Sequence, residues 1–286
     1  MATTRIITDA SSYLRPEVVS RYKITVLPLE VSFGKGRFRI DPEDPESHRR
    51  VFDAMDGCPA QPTEAVFAPD DFPEAYERLS REAQEILVIL GSGRLSDGVA
   101  KAQAATRPFR GRCRIMVMDS LSSSWGLGLV VESAARAAEA GLPLDGLVRL
   151  VRALLPHIYT VFFVERLDYL EQKRKIGAAQ ALLGTILRIK PILLVEDGDV
   201  VPMEKVRTRA AAIEKLADFV GEFATPEKVV ILRSPLEDGM DEMVADLRRH
   251  LAEVLPRRQF PVLAYDPVLA CYVGPQALGV LVYERH

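Results

Sequence analysis

Three stretches of this chain gather the side chains that could bind or transform a ligand. The β-rich run Glu85 to Leu90 leads into Gly91-Ser92-Gly93-Arg94-Leu95-Ser96-Asp97-Gly98 and then into a helix-period segment. The run Arg114 to Met118 ends in Asp119-Ser120, and Asp9 with Ser11 and Ser12 follows the first strand-like run. In an open α/β sheet, ligands sit beyond the carboxyl ends of strands, where helix N-terminal amides and loop hydroxyls converge. A polar cleft lined by these three loops is therefore the expected site. Gly91-x-Gly93 between a strand and a helix also reads as part of a dinucleotide-binding turn. Its third glycine position is Ser96, however, and Asp119 lies further on than the usual spacing of about 20 residues. The plainer reading is a turn capped by Ser92 or Ser96. Asp9 and Asp119 each read as a helix N-cap or as a catalytic acid.

Other chemistry is poorly represented. His48, His157, His250 and His286 are scattered without metal-ligand spacing, so no metal site is expected. No G-x-S-x-G elbow is present. Cys58, Cys113 and Cys271 are three in number and far apart, which fits reduced thiols in a cytoplasmic protein better than a disulfide framework. A net charge of -3 gives no overall drive onto nucleic acid or anionic lipid. Basic residues still cluster locally, at Lys173-Arg174-Lys175, at Arg188 with Lys190, and at Lys205-x-Arg207-x-Arg209. Such runs are solvated faces or docking points for an acidic or phosphorylated partner.

The elements that position these residues follow from hydrophobic periodicity. With 286 residues and 48% hydrophobic composition the chain can bury a large core. The first half alternates strand-like runs (Arg5 to Thr8, Ile24 to Phe33, Glu85 to Leu90, Arg114 to Met118) with helical ones (Pro16 to Tyr22, Glu74 to Glu82, Ser96 to Ala105, Ser123 to Glu139, Leu144 to Leu155). That alternation predicts parallel strands joined by helical crossovers, an α/β domain over residues 1–157. Cys58 to Thr63, with Pro69 and Pro73 beyond, reads as a long surface loop. From residue 158 to 286 the strands Thr160 to Val164, Pro191 to Val195, Val200 to Pro202, Lys228 to Leu232, Val262 to Tyr265 and Leu278 to Tyr283 alternate less regularly with helices. Those helices are expected at Ala179 to Leu187, Glu204 to Glu222 and Asp241 to Val254, and Asp197-Gly198 signals a hairpin, giving an α+β domain. No signal peptide is expected ahead of Ile6-Ile7, and no apolar run approaches the roughly 18 residues of a membrane span.

In their order along the chain, several of these segments resemble the DegV family of bacterial fatty-acid-binding proteins. Ile7-Thr8-Asp9-Ala10-Ser11 and Val26-Leu27-Pro28-Leu29 are similar to that family's first strand and its P-L strand. Leu90 to Gly98 resembles its I-S-S-x-L-S-G-T loop, Asp119-Ser120 its D-S element, and Leu167-Asp168-Tyr169-Leu170 its L-x-Y-L segment. Ile189-Lys190-Pro191-Ile192-Leu193 with Gly198 resembles its K-P-I-L…G stretch, Lys205-Val206-Arg207-Thr208 its K-x-R run, and Gly274 to Gly279 its terminal G-P-G-A-L-G.

The resemblance implies an N-terminal α/β domain with a parallel sheet and a C-terminal α+β domain that enclose a long-chain fatty acid, with no other cofactor and no catalysis by the chain itself. It implies a carboxylate held by a hydroxyl of the proline-rich loop, by Ser96, and at the position of Tyr272. The family's T-S-Q-P-S is Thr63-Glu64-Ala65-Val66-Phe67-Ala68 here, so Thr63 or Glu64 takes the hydroxyl position, and its H-t-G-P is Tyr272-Val273-Gly274-Pro275. Tyrosine lacks the positive charge of a histidine, and an inward Glu64 would repel a carboxylate, which shifts the expectation toward a neutral or hydroxyl-headed lipid. Ser92, Asp119 and Ser120 complete the expected ligand-binding set. The resemblance further implies a partner, a separate fatty acid kinase that phosphorylates the bound carboxylate, and the local basic runs make Lys175, Lys205 and Arg207 the expected docking residues. The alternative reading is a small-molecule or nucleotide-dependent phosphotransferase using Asp9 and Asp119.

Overall fold

A computed structural model describes residues 4–34, 36–44, 46–56, 62–165, 169–170, 190–236 and 239–284, with the backbone alone for 62–64. The first half is built on a four-stranded sheet in the order β2-β1-β6-β7, from β1 (Thr4–Asp9), β2 (Thr25–Leu27), β6 (Glu85–Leu90) and β7 (Arg114–Asp119). Every pairing in it is parallel, as the strand and helix alternation requires. The sequence Glu-Ile-Leu-Val-Ile-Leu of β6 is almost wholly apolar because both faces of the sheet are covered. Leu87 and Ile89 face α5 (Ser124–Glu139) and α6 (Leu144–Leu154), while Ile86, Val88 and Leu90 join the opposite core. Gly128 lets α5 press onto the turn after β1, since a Cβ there would lie 2.4 Å from the Ser12 carbonyl.

Of the expected loop, residues 58–61 lie outside the described residues, and the part from Pro62 on is a strand instead. Pro62–Val66 forms β5, which pairs with β3 (Leu29–Phe33) in a three-stranded antiparallel sheet completed by β4 (Gly36–Ile40). Pro62 is tolerated because it opens the strand. Pro73 sits in the first turn of α3 (Asp71–Leu79), where its missing N–H would have had no helical partner. Helices α1 (Pro16–Tyr22), α2 (Ser47–Met55) and α4 (Gly98–Ala105) complete this half.

The second half is a six-stranded sheet in the order β10-β9-β8-β13-β11-β12, comprising β8 (Ile158–Val164), β9 (Lys190–Glu196), β10 (Asp199–Val206), β11 (Pro226–Arg233), β12 (Val262–Ala264) and β13 (Ala277–Glu284). Only β11 and β12 pair in parallel, so the sheet is mixed. Asp197-Gly198 makes the expected hairpin, both residues at positive φ (49° and 78°), as a tight turn between twisted strands needs. The helix expected from Glu204 begins later. Residues 204–206 remain in β10, and α7 (Arg209–Gly221) starts after Thr208, whose Oγ1 accepts the Ala211 N–H at 3.1 Å. Helices α7 and α8 (Asp241–Val254) cover one face of the sheet. The stretch expected to be helical at 179–187 lies outside the described residues.

The other face of the large sheet packs on the first half in one continuous apolar layer. Tyr265 stands at its centre, edge-on to Phe52 of the first half (centroids 5.3 Å) and to Phe162 of β8 (5.4 Å). One further helix, α9 (Pro267–Val273), sits between the two halves with Asp266 as its N-cap.

Candidate functional site

The loop from Gly91 to Asp97 is held from three sides. Asp9 is fully buried at the end of β1, where its Oδ2 accepts the Gly91 N–H at 2.8 Å and its Oδ1 accepts the N–H and hydroxyl of Ser11. Burial raises its pKa against the opposing pull of these bonds. Asp119, at the end of β7, accepts the Gly93 N–H at 3.2 Å and the Leu121 N–H at 2.8 Å. A phosphate in a dinucleotide turn would need such loop amides, and here carboxylates take two of them and add repulsive charge. Asp9 and Asp119, the acids of the phosphotransferase alternative, thus brace the loop from two sides.

Among the described residues the hydroxyls of this region divide into those committed to the scaffold and those whose proton has no acceptor, among them the buried Thr8 and Ser124 hydroxyls and the half-buried Ser96 hydroxyl, which alone of these three lies in the Gly91–Asp97 loop. Ser92 donates to the Gly198 carbonyl at 2.6 Å, tying the loop to the β9–β10 hairpin, and its carbonyl accepts the Ser96 N–H at 3.1 Å. Ser120 donates to the Ser122 carbonyl at 3.2 Å. Tyr272 is buried on α9 and donates to the Leu95 carbonyl at 3.1 Å. Each hydroxyl has a single proton. In this structure Ser92, Ser120 and Tyr272 direct their protons to backbone carbonyls, and Asp119 accepts two backbone amides. Ser96 differs. Its half-buried Oγ accepts the Gly98 N–H at 3.4 Å, and its proton has no acceptor among the described residues.

Ser96 is also where three elements meet. Its backbone bridges Ala65 of β5, the strand that carries Thr63 and Glu64, and Tyr272 closes on the neighbouring Leu95 from the second half. The segments expected to hold a head group are thus adjacent through the backbone. Asp97 reinforces the bridge by accepting the Phe67 N–H at 3.1 Å, while Lys101 pairs with Asp97 at 2.6 Å and donates to the Phe67 carbonyl. Lys205 and Arg207 are exposed at the far end of β10, and Lys175 lies outside the described residues.

A family model described as "Uncharacterised protein, DegV family" matches residues 3–285. The chain belongs to the DegV family. A DegV domain-containing protein of Deinococcus radiodurans is 31% identical over 96% of both chains, and one of Streptomyces coelicolor is 30% identical over 98% of both. Among solved structures, a fatty-acid-binding DegV family protein from Thermus thermophilus superposes with a TM-score of 0.82 at 30% identity, each chain fully covered. The fatty acid kinase B3 protein of Streptococcus pneumoniae, loaded with linoleic acid, shares the fold at a TM-score of 0.80 and 19% identity over 99% of this chain and 100% of that one. The DegV fold expected from the motifs is therefore the fold of this chain.

A second buried acid escaped sequence reasoning. Asp266 accepts the Val268 and Leu269 N–H groups at 2.8 and 3.1 Å and the Ser123 hydroxyl at 2.9 Å, linking the first half to α9. Burial, joined by repulsion from Asp9, pushes its pKa up to about 7. Asp-Pro ahead of an apolar run is an N-cap followed by a proline at the first helical position, and that pair was a usable signal. Among the described residues no helix is long and apolar enough to cross a membrane, and no group of three or more His, Cys, Asp or Glu side chains could hold a metal ion.

Proposed function

We propose that this DegV chain is a non-catalytic, cytoplasmic lipid-binding protein that takes a long-chain fatty acid or a related lipid between two domains, residues 1–157 and 158–286. The observation that carries the reading is the placement of Ser96. Its uncommitted hydroxyl proton sits where β5, the Gly91–Asp97 loop and α9 converge, and the fatty-acid-binding Thermus protein shares the whole fold. In this reading Ser96 donates to the head group, β5 contributes through Thr63 or Glu64, and Tyr272 positions the loop by holding Leu95. Ser92, Asp119 and Ser120 keep the loop in shape. Acyl burial at about 0.8 kcal/mol per methylene supplies a gross gain on the order of 10 kcal/mol, reduced by the costs of association.

The finer role is that of a fatty acid kinase subunit which presents the lipid head to a catalytic partner. The family resemblance and the exposed Lys205 and Arg207 support it, and the pneumococcal protein of the same fold is named for such a kinase. Organic extraction of the purified protein followed by mass spectrometry tests the lipid reading. The expected result is a stoichiometric acyl lipid. A protein that releases none, yet is stabilised against heat by ATP with Mg²⁺, would return the phosphotransferase alternative.

A further inference from the structure

At the seam of the two halves lies a cavity of about 330 Å³ whose lining does not include Ser96. Leu14, Trp125 and Leu129 wall it on one side, and Val230, Leu263 and Leu281 of the large sheet wall it on the other. None of its lining residues belongs to β5, the Gly91–Asp97 loop or α9. At about 30 Å³ for each water displaced, the volume suits a ligand with on the order of ten non-hydrogen atoms.

The charges at its edge select the head group. Arg15 and Lys228 line the cavity from opposite halves of the molecule, are exposed, and make no ion pair among the described residues. The lining acid, Glu132, is shared with Arg136 at 3.5 Å. The indole N–H of Trp125 is taken by the Ala264 carbonyl at 3.2 Å, so Trp125 offers the interior an apolar ring. An oily interior with two uncompensated cations at its edge fits a small amphipathic anion, whose apolar body leaves water while its charge stays at the rim. We propose that this cavity is a second ligand site, separate from the Ser96 site, which takes a short-chain or aromatic carboxylate.

Trp125 is the only tryptophan of the chain, so its fluorescence reads the cavity directly. Titration with octanoate should change that emission saturably, and octylamine and octanol should bind at least tenfold more weakly. The double substitution Arg15→Glu with Lys228→Glu lies on exposed residues and should leave the circular dichroism spectrum intact. It should weaken octanoate binding about tenfold or more without altering the long-chain lipid extracted with solvent. No saturable response to octanoate, equal binding of octylamine, or an unchanged affinity in the double variant would overturn the proposal. So would a response that Ser96→Ala abolishes, because it would then belong to the head-group site. The titration keeps its meaning if the purified protein carries no long-chain lipid, so the failure of one reading is distinguishable from the failure of the other.

Discussion

The Ser123 hydroxyl donates to the Asp266 carboxylate at 2.9 Å, joining residues 143 positions apart and fastening the start of α5 to the cap of α9. The bond ties the two halves of the molecule together through a carboxyl that burial has made a poor acid.

That poor acidity gives a pH dependence with a definite sign. The pKa of Asp266 rises from 3.8 in the unfolded chain to about 7 when folded, so between these values the folded state holds more proton. The contribution is fully present below about pH 4 and is lost as the pH climbs through 7. His48 acts in the opposite sense, because burial lowers its pKa from 6.5. The measurement is therefore the difference in unfolding free energy between the wild type and Asp266→Asn. That difference should fall by more than about 1 kcal/mol from pH 4 to pH 7.5, and a flat difference would refute the assignment.

Ser96→Ala removes the uncommitted donor of the Gly91–Asp97 loop. A hydrogen bond to a charged acceptor contributes roughly 1.5–3 kcal/mol, so retention of a carboxylate lipid should drop about tenfold or more. A neutral head group should lose less. Quantifying extracted lipid in both proteins decides between them, and an undiminished yield removes Ser96 from the site.

Tyr272→Phe takes away the bond to Leu95 while keeping the ring. Urea unfolding should show a loss of about 1–3 kcal/mol, the cost of leaving a buried carbonyl without its donor. Lipid retention should fall with it, since the loop that carries Ser96 is loosened. Stability equal to the wild type would show that Tyr272 does not hold the loop.

Gly198→Ala strikes the hairpin latch twice. Its φ of 78° disfavours a side chain, and a Cβ there would lie 2.4 Å from Ser92 Oγ. The expected outcome is a destabilisation of about 1–3 kcal/mol by thermal unfolding, and a neutral substitution would mean that the hairpin shifts freely against the loop.

Reversing Lys175 and Arg207 to glutamate should weaken a pull-down of a fatty acid kinase while leaving the extracted lipid unchanged. Unaltered association would dismiss the basic docking surface.

The sequence showed the parallel sheet clearly because β6 and its neighbours are short apolar runs separated by amphipathic helices, a pattern that long-range context seldom overrides. It misled at β5, where three prolines look like a loop until their positions are known: Pro62 opens a strand, Pro69 lies between elements, and Pro73 occupies a first helical turn. It also ran the helix of residues 209–221 back to Glu204, since the periodicity of apolar residues does not reveal that Val206 still pairs with Lys190. The site residues were visible as polar types at strand ends. Their division of labour was not. Whether a serine or tyrosine proton is spent on a carbonyl depends on distances between segments far apart in the chain, such as Tyr272 and Leu95, and no local pattern encodes them.

The β9–β10 hairpin reaches from the exposed Lys205–Arg207 end to Gly198, whose carbonyl grips Ser92, whose own carbonyl in turn receives the Ser96 amide. A continuous chain of hydrogen bonds therefore joins surface to interior. One ribbon thus spans the distance from a basic tip in solvent to the backbone of residue 96.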